Sequence, residues 1–255
     1  MIVQILLSAE KVDRSDIVLP FHYQAPLQGA IYHLNQNAAF GTFLHDVGYS
    51  AEGRKYRLFC FSRILENPKY ILRQKHAFVF PPKISWIVAT VDNPFADSLL
   101  QTLFTDDPFM IAGQQLRFCR IQILPECKDN PLHVRAMSPI CVYSTIEMAN
   151  GKKRTIFYHP KEEEFAAILQ RNLKRKCIAR FGSEEMDDSF HMRILSRPGE
   201  VVTEYKHFVL KGYLMEMELS GSDQMLQMAL CAGLGGKNAQ GFGLVMTKSQ
   251  WKELI

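Results

Sequence analysis

The sequence predicts an α+β protein in which one order of elements, β-α-β-β-α-β, occurs twice and ends in a glycine-rich loop near the C-terminus. Three observations carry this. Apolar residues run through strand-like and helix-like spacings in the same succession on either side of residues 125–131. That stretch, PECKDNP, holds two prolines and two acids in seven residues and reads as the boundary between domains 1–125 and 132–255. Finally, five of the 15 glycines fall within the eleven residues 233–243, GLGGKNAQGFG.

The elements follow in order. Residues 2–7 form a short apolar run suited to a buried strand. Between 23 and 37, Leu27, Ala30, Ile31 and Leu34 recur at helical spacing, with Tyr32 and His33 along the helix. Residues 56–62 read as a strand with Tyr56, Leu58, Cys60 and Ser62 on one face, and with Arg57, Phe59 and Phe61 beside Lys55 on the other. Strands at 84–91 and 116–124 enclose a helix at 95–104. The second half opens with a strand region at 133–143 and a helix at 162–180, begun by glutamates and closed by Lys174, Arg175, Lys176 and Arg180. Strands at 191–195, 207–210 and 213–219, a helix at 223–232 and a strand at 242–247 complete it. This is the ferredoxin-like (RRM-like) order, in tandem.

Composition sets the class. With 47 % hydrophobic and 22 % charged residues the chain is an ordinary folded protein. Its formal charge of +4 permits a nucleic-acid partner without predicting one. The six cysteines form no C-x-x-C pair and show no paired spacing with histidine, so neither a metal site nor a disulfide framework is expected. No apolar run approaches the ~18 residues of a membrane span. The first residues do not fit a secretory signal, and a cytoplasmic protein is expected.

Glycine loops usually suggest phosphate. Here no Ser or Thr follows Lys237, and the order is helix, loop, strand, so neither the P-loop nor the dinucleotide fingerprint fits. What is left is a row of open backbone N–H groups with one lysine, suited to an extended anionic polymer. The pattern G-L-G-G-K-N-A-Q-G-F-G-L-V, Gly233 to Val245, resembles the signature loop of the RAMP superfamily. More closely, it resembles that of the CRISPR-associated endoribonucleases of the Cas6 family, which cut precursor CRISPR RNA within each repeat. That resemblance implies a metal-independent endoribonuclease with no cofactor. It would leave a 2′,3′-cyclic phosphate and a 5′-hydroxyl.

Such chemistry needs a base, an acid and a cation. Eight histidines (22, 33, 45, 76, 133, 159, 191 and 207) suit the proton roles, and residue type does not choose among them. The resemblance does. Its aromatic-Leu-His-acid motif matches Phe43-Leu44-His45-Asp46, following Ile31-Tyr32. It therefore implies His45 as the catalytic histidine, with Tyr32 positioning the scissile phosphate or sharing in proton transfer. For the cation, alignment on the L-F-C-F-S run points to Arg57 and residue type to Lys55, and both stay open. Gly233, Gly235, Gly236, Lys237, Asn238, Gly241 and Gly243 are the RNA-binding loop. Lys152, Lys153 and Arg154 follow Asn150-Gly151 at an expected hairpin tip and form a second basic contact. Base stacking is not the expected main readout, since no RNA-recognition aromatic pair appears in the strands. CRISPR repeat RNA, precursor and mature, is the expected partner; an effector complex and a second copy of the chain are the candidate protein partners. The alternative function is a non-catalytic RNA-binding subunit of such a complex, which shares the glycine loop.

Overall fold

The computed structural model describes residues 1–9, 16–34, 48–103, 109–182, 189–205 and 208–254. In chain order the first half contains β1 (Ile2–Ala9), β2 (Ile17–Pro20), α1 (Gln24–Leu34), β3 (Tyr49–Ala51), β4 (Arg54–Tyr56) and β5 (Phe59–Phe61). It continues with β6 (Tyr70–Leu72), β7 (Ala77–Phe80), β8 (Lys83–Thr90), α2 (Asn93–Leu103), β9 (Phe109–Ile111) and β10 (Gln114–Leu124). The second half contains β11 (Leu132–Ala136), β12 (Tyr143–Glu147), β13 (Lys153–Phe157), α3 (Glu163–Phe181), β14 (His191–Ile194) and β15 (Gly199–Tyr205). It ends with β16 (Phe208–Leu214), β17 (Glu216–Ser220), α4 (Asp223–Ala232), β18 (Val245–Thr247) and α5 (Lys248–Lys252).

Two antiparallel sheets organise these elements. The first has the order β5-β8-β1-β10-β9 and the second β14-β17-β11-β18. In each, the four strands of the expected pattern lie second, third, first, fourth. Each crossover leaves a gap that the third strand fills, which is the ferredoxin-like arrangement. On one face of the first sheet, Val3, Ile5, Phe59, Phe61, Trp86 and Val88 bury against Leu27, Ile31, Phe95 and Leu99 of α1 and α2. On the other, Ile2, Cys60, Ile87, Ala89 and Leu124 share a core with α4 and with Val134 and Met217 of the second sheet. Helix α4 is therefore covered from both sides. Its sequence, DQMLQMALCA, is apolar around most of its circumference, as a helix between two sheets must be.

Helix ends follow the sequence. Glu163 and Glu164 begin α3 and Arg180 closes it, each charge complementing the dipole. Gly182 ends the helix at φ +72°, its N–H donating to the Ile178 carbonyl at 2.8 Å. The Ser222 hydroxyl caps α4 by accepting from the Met225 N–H at 3.4 Å.

The differences from the periodicity reading have local causes. The strand expected at 56–62 is broken at Leu58, which adopts φ +47° while its side chain stays in the core. The Leu58 carbonyl is held by the Thr90 hydroxyl at 3.1 Å. The break separates Arg57 from Phe59, so their expected shared face does not exist, and Phe59, Cys60 and Phe61 are all buried. The strand expected at 213–219 is interrupted at Met215, where the chain leaves the β15–β16 hairpin and joins the second sheet. The last strand is only three residues long: before it, Gly243 O accepts from Leu234 N–H to close the loop, and Leu244 bonds to the Met137 and Ser138 N–H groups and the Ser138 hydroxyl rather than in the β11 ladder. The sequence reading missed the small β2-β7-β6 sheet, β3, most of β4, β9 and α5, all short elements with weak periodicity, and also the seven-residue strand β15. No helix among the described residues is long and apolar enough to cross a membrane.

Candidate active site and nucleic-acid interface

A cleft of about 700 Å³ lies where the two halves meet. The first half supplies α1 and the β4–β5 connection; the second supplies the 233–243 loop, α3, and Tyr143 and Tyr205 from its two hairpins. Arg54, Lys55, Arg57, Lys176 and Lys237 line it, and no Asp or Glu is among its described lining residues. The modest net charge of the chain is thus concentrated where the halves join. Tyr32, Tyr56, Tyr143 and Tyr205 provide aromatic walls.

On α1, Tyr32 points into this cleft. Its ring stands edge-on to Phe59 at 5.9 Å and 84°, and Phe59 in turn stacks on Phe95 at 4.9 Å and 19°. These rings fix the direction of the phenol. Burial pushes the Tyr32 hydroxyl above its ordinary value of 10.0, and the Arg57 guanidinium, hydrogen-bonded to it, pulls it part of the way back. Arg57 is half-buried and Lys55 exposed, though both line the cleft. The expected motif Phe43-Leu44-His45-Asp46 lies outside the described residues. Its flanks do not: α1 ends at Leu34, and Gly48 packs beside the Tyr56 carbonyl.

The glycine loop joins the halves. Its N–H groups are not the open row that the sequence suggests. Leu234 donates to Gly243 O at 2.8 Å, Gly236 to Cys141 O at 2.8 Å, Gly241 to Asn238 O at 3.0 Å and Gly243 to Pro139 O at 2.9 Å. The loop is a folded object with its own hydrogen-bond interior. From the first half, Gln28, one turn before Tyr32 on α1, donates to the Ala239 carbonyl at 2.6 Å and accepts from the Tyr205 hydroxyl. Gly241 rests on Phe61, where a Cβ would come within 2.6 Å of the ring. Lys237 sits at the apex with φ +64°, its ammonium 5.7 Å from the centroid of the Tyr143 ring.

Beneath the loop is a residue that sequence reasoning counted only among the basic residues closing α3. Lys176 is 2 % exposed. Its Nζ donates to Gly233 O at 2.7 Å, Asn238 Oδ1 at 2.8 Å, Gly235 O at 3.3 Å and Ala232 O at 3.5 Å. Burial pulls its pKa down from 10.5 to about 7. The sequence signal was slight: one more lysine in a basic run, on the turn that also carries buried Cys177.

The structure thus brings Tyr32, Lys55 and Arg57 to the same cleft as Gly235, Gly236, Lys237 and Asn238, while Gly233, Gly241 and Gly243 form the packed base of the loop. Lys152, Lys153 and Arg154 are exposed on the β12–β13 hairpin, whose near end is Tyr143 in the cleft. Five strand residues span on the order of 17 Å, so this basic tip stands away from Tyr32. Arg175 pairs with Glu52 at 2.6 Å and ties α3 to the β3–β4 turn, a structural contact. The tyrosine walls were missed because Tyr56, Tyr143 and Tyr205 are far apart in sequence and share no motif.

Comparison with known proteins agrees with this geometry. The family model described as CRISPR associated protein Cas6, C-terminal, matches residues 123–247, which include the second sheet and its loop. The chain is 28 % identical over 259 residues to the CRISPR-associated endoribonuclease Cas6 of Pyrococcus furiosus, covering 94 % of this chain and 88 % of that one. It is 25 % identical over 231 residues to CRISPR-associated endoribonuclease Cas6 1 of Methanocaldococcus jannaschii, covering 90 % and 87 %. The structure of a Cas6-related gene product from Pyrococcus furiosus superposes with a TM-score of 0.82 at 19 % identity, over 97 % of this chain and 98 % of that one, a likeness of fold. The loop, the sheet that carries it and at least 90 % of the chain are thus matched by CRISPR-associated Cas6 proteins, the family this chain resembles.

Proposed function

We propose that the protein is an endoribonuclease that cuts precursor CRISPR RNA within its repeats to release mature crRNA, with residues 1–125 and 132–255 as its two domains. The observation that carries this is the cleft itself: five basic side chains and no carboxylate among its described lining residues, with Tyr32 and Arg57 facing the glycine loop across it. The curated relatives are both named as CRISPR-associated endoribonucleases, which favours cleavage over a purely binding role.

In this reading the 2′-hydroxyl attacks the adjacent phosphorus. The 2′-O–P bond forms as the P–5′-O bond breaks. The 2′ proton passes to a base and a proton reaches the 5′-oxygen, leaving a 2′,3′-cyclic phosphate and a 5′-hydroxyl. The Arg57 guanidinium stabilises the phosphorane oxygens. Lys55 and Lys237 hold flanking phosphates. The Tyr32 phenol, raised by burial, is protonated near neutrality and positions the reacting group as a donor. His45 carries a proton. The reaction takes place in the cytoplasm, on a transcript to which the Lys152-Lys153-Arg154 hairpin adds a second contact.

Two experiments test this. Incubated with RNA carrying one CRISPR repeat from the same genome in excess EDTA, the protein is expected to cut at one position, and a single 2′-deoxy substitution there abolishes the cut. Loss of activity in EDTA with recovery in Mg²⁺ counts against the mechanism. The second test separates charge from backbone at Lys237. Both Lys237→Ala and Lys237→Gly reduce the salt dependence of RNA binding by about one phosphate contact. Only the glycine variant also relieves the left-handed conformation, worth ~1 kcal/mol, and raises the thermal midpoint. An unchanged salt slope in both variants removes Lys237 from the RNA interface.

A further inference from the structure

We propose that Lys176 is a positioning residue that holds the glycine-rich loop in its RNA-binding shape from beneath, through a cage of loop oxygens closed by Asn238. This deepens the function proposed above and rests on it.

The cage is built from one side chain of α3 and four oxygens of a single short segment. Three are the carbonyls of Ala232, Gly233 and Gly235, and the fourth is Asn238 Oδ1, at 2.7 to 3.5 Å from Nζ. Two of these peptide units are held from the other end as well, Leu234 N–H donating to Gly243 O and Gly236 N–H to Cys141 O, both at 2.8 Å. Asn238 closes the cage with its other end, its amide donating to Leu234 O and Phe242 O at 3.0 Å each. One buried cation and one amide therefore join both limbs of the loop, before and after Lys237. Every partner of Nζ is an oxygen acceptor. An ammonium fills such a cage with three N–H donors, whereas a neutral amine would direct its lone pair at another oxygen. The surrounding thiols supply no competing charge: burial raises Cys60 far above its ordinary value and Cys177 to about 11, so both are neutral.

Lys176 does not reach the substrate. It borders the cleft only from below: at 2 % exposure its Nζ is turned to the loop oxygens under Gly235 and Asn238. Its role is to shape what RNA meets: it opposes collapse of a segment whose glycines give it little stiffness of its own. A methionine in its place matches the length of the chain but leaves four acceptors facing a thioether, each then without its donor.

The test compares wild type, Lys176→Met and Asn238→Ala. Without RNA, amide hydrogen exchange of residues 233–243 is expected to rise at least tenfold in Lys176→Met while α2 and the first sheet keep their protection. With a labelled single-repeat RNA, the dissociation constant rises at least tenfold. The single-turnover rate at saturating RNA stays within threefold of wild type. Asn238→Ala, read by exchange alone because Asn238 itself lines the cleft, raises exchange of residues 233–243 about threefold and decides whether the cage holds the loop if Lys176→Met does not fold. Loop exchange and affinity within twofold of wild type in a folded variant overturn the proposal. So does a saturated rate that falls as far as the affinity, which places Lys176 in the chemistry. If the wild type binds no repeat RNA, the function proposed above fails, and the exchange measurement still decides whether Lys176 holds the loop.

Discussion

His45→Ala is expected to lower single-turnover cleavage by about 10² to 10⁴-fold, the range for removing one proton-transfer group. RNA affinity changes little, because a neutral imidazole contributes little to phosphate binding. The position of the residue in the chain supports this. Only two residues separate His45 from Gly48, a step of at most about 11 Å of extended backbone. Gly48 packs beside the Tyr56 carbonyl, next to Arg57. His33 is the control: it is exposed on α1, immediately after Tyr32, where the helix turns it about 100° away. His33→Ala should cut within a few-fold of wild type. Both rates are measured with enzyme in excess over RNA, together with the dissociation constants and thermal midpoints. A folded His45→Ala protein that binds normally and cuts within threefold of wild type removes His45 from the mechanism.

Gly243→Ala is expected to be the most destabilising change in the loop. The residue has φ +76°, and a Cβ there would overlap the Leu234 carbonyl oxygen and come within 2.7 Å of the Asn238 amide nitrogen. The left-handed backbone costs an alanine ~1–2 kcal/mol. Moving Leu234 disturbs the bond its N–H donates to Gly243 O and the one its carbonyl accepts from the Asn238 amide, and moving Asn238 disturbs the bonds its amide donates to Leu234 O and Phe242 O, at about 1 kcal/mol each. A loss of about 3 kcal/mol or more follows, a large part of the 5–15 kcal/mol typical of a whole domain. Gly53 provides the comparison: its φ of +71° carries similar strain, but no heavy atom lies within 4 Å of its Cβ position. Urea unfolding of the two alanine variants separates packing from backbone strain. If Gly243→Ala unfolds no earlier than Gly53→Ala, the loop is not the packed joint described above.

The repeated order of strands and helices was legible because long, buried elements impose clear periods. The pattern at Leu27, Ala30, Ile31 and Leu34 is the buried face of α1 itself. The apolar girth of α4 was visible too, though its reason, a sheet on either side, was not. What failed were short elements set by tertiary contact. Leu58 breaks a strand that reads well from periodicity because its carbonyl is claimed by Thr90, thirty-two residues away. At the site, the glycine loop stood out by residue type, and only the resemblance singled out Tyr32. The Lys55 and Arg57 alternatives could not be ordered by spacing, because what distinguishes Arg57 is its contact with Tyr32, twenty-five residues earlier in the chain. Lys176 was hidden because a lysine near the end of a helix normally faces water.

The position of the loop in the chain has a consequence for biosynthesis. Residues 233–243 rest on Gln28, Phe61, Pro139, Cys141 and Lys176, all of which precede them. Since chains fold from the N-terminus as they are made, both halves can begin to form before the segment that joins them has emerged. A ribosome-bound chain halted before residue 233 therefore lacks residues 235–240 of the opposing wall, although Tyr143, Lys176 and Tyr205 of that wall have already been made. The complete cleft is acquired only after residue 243 has emerged, so a chain stalled earlier lacks the loop that closes it.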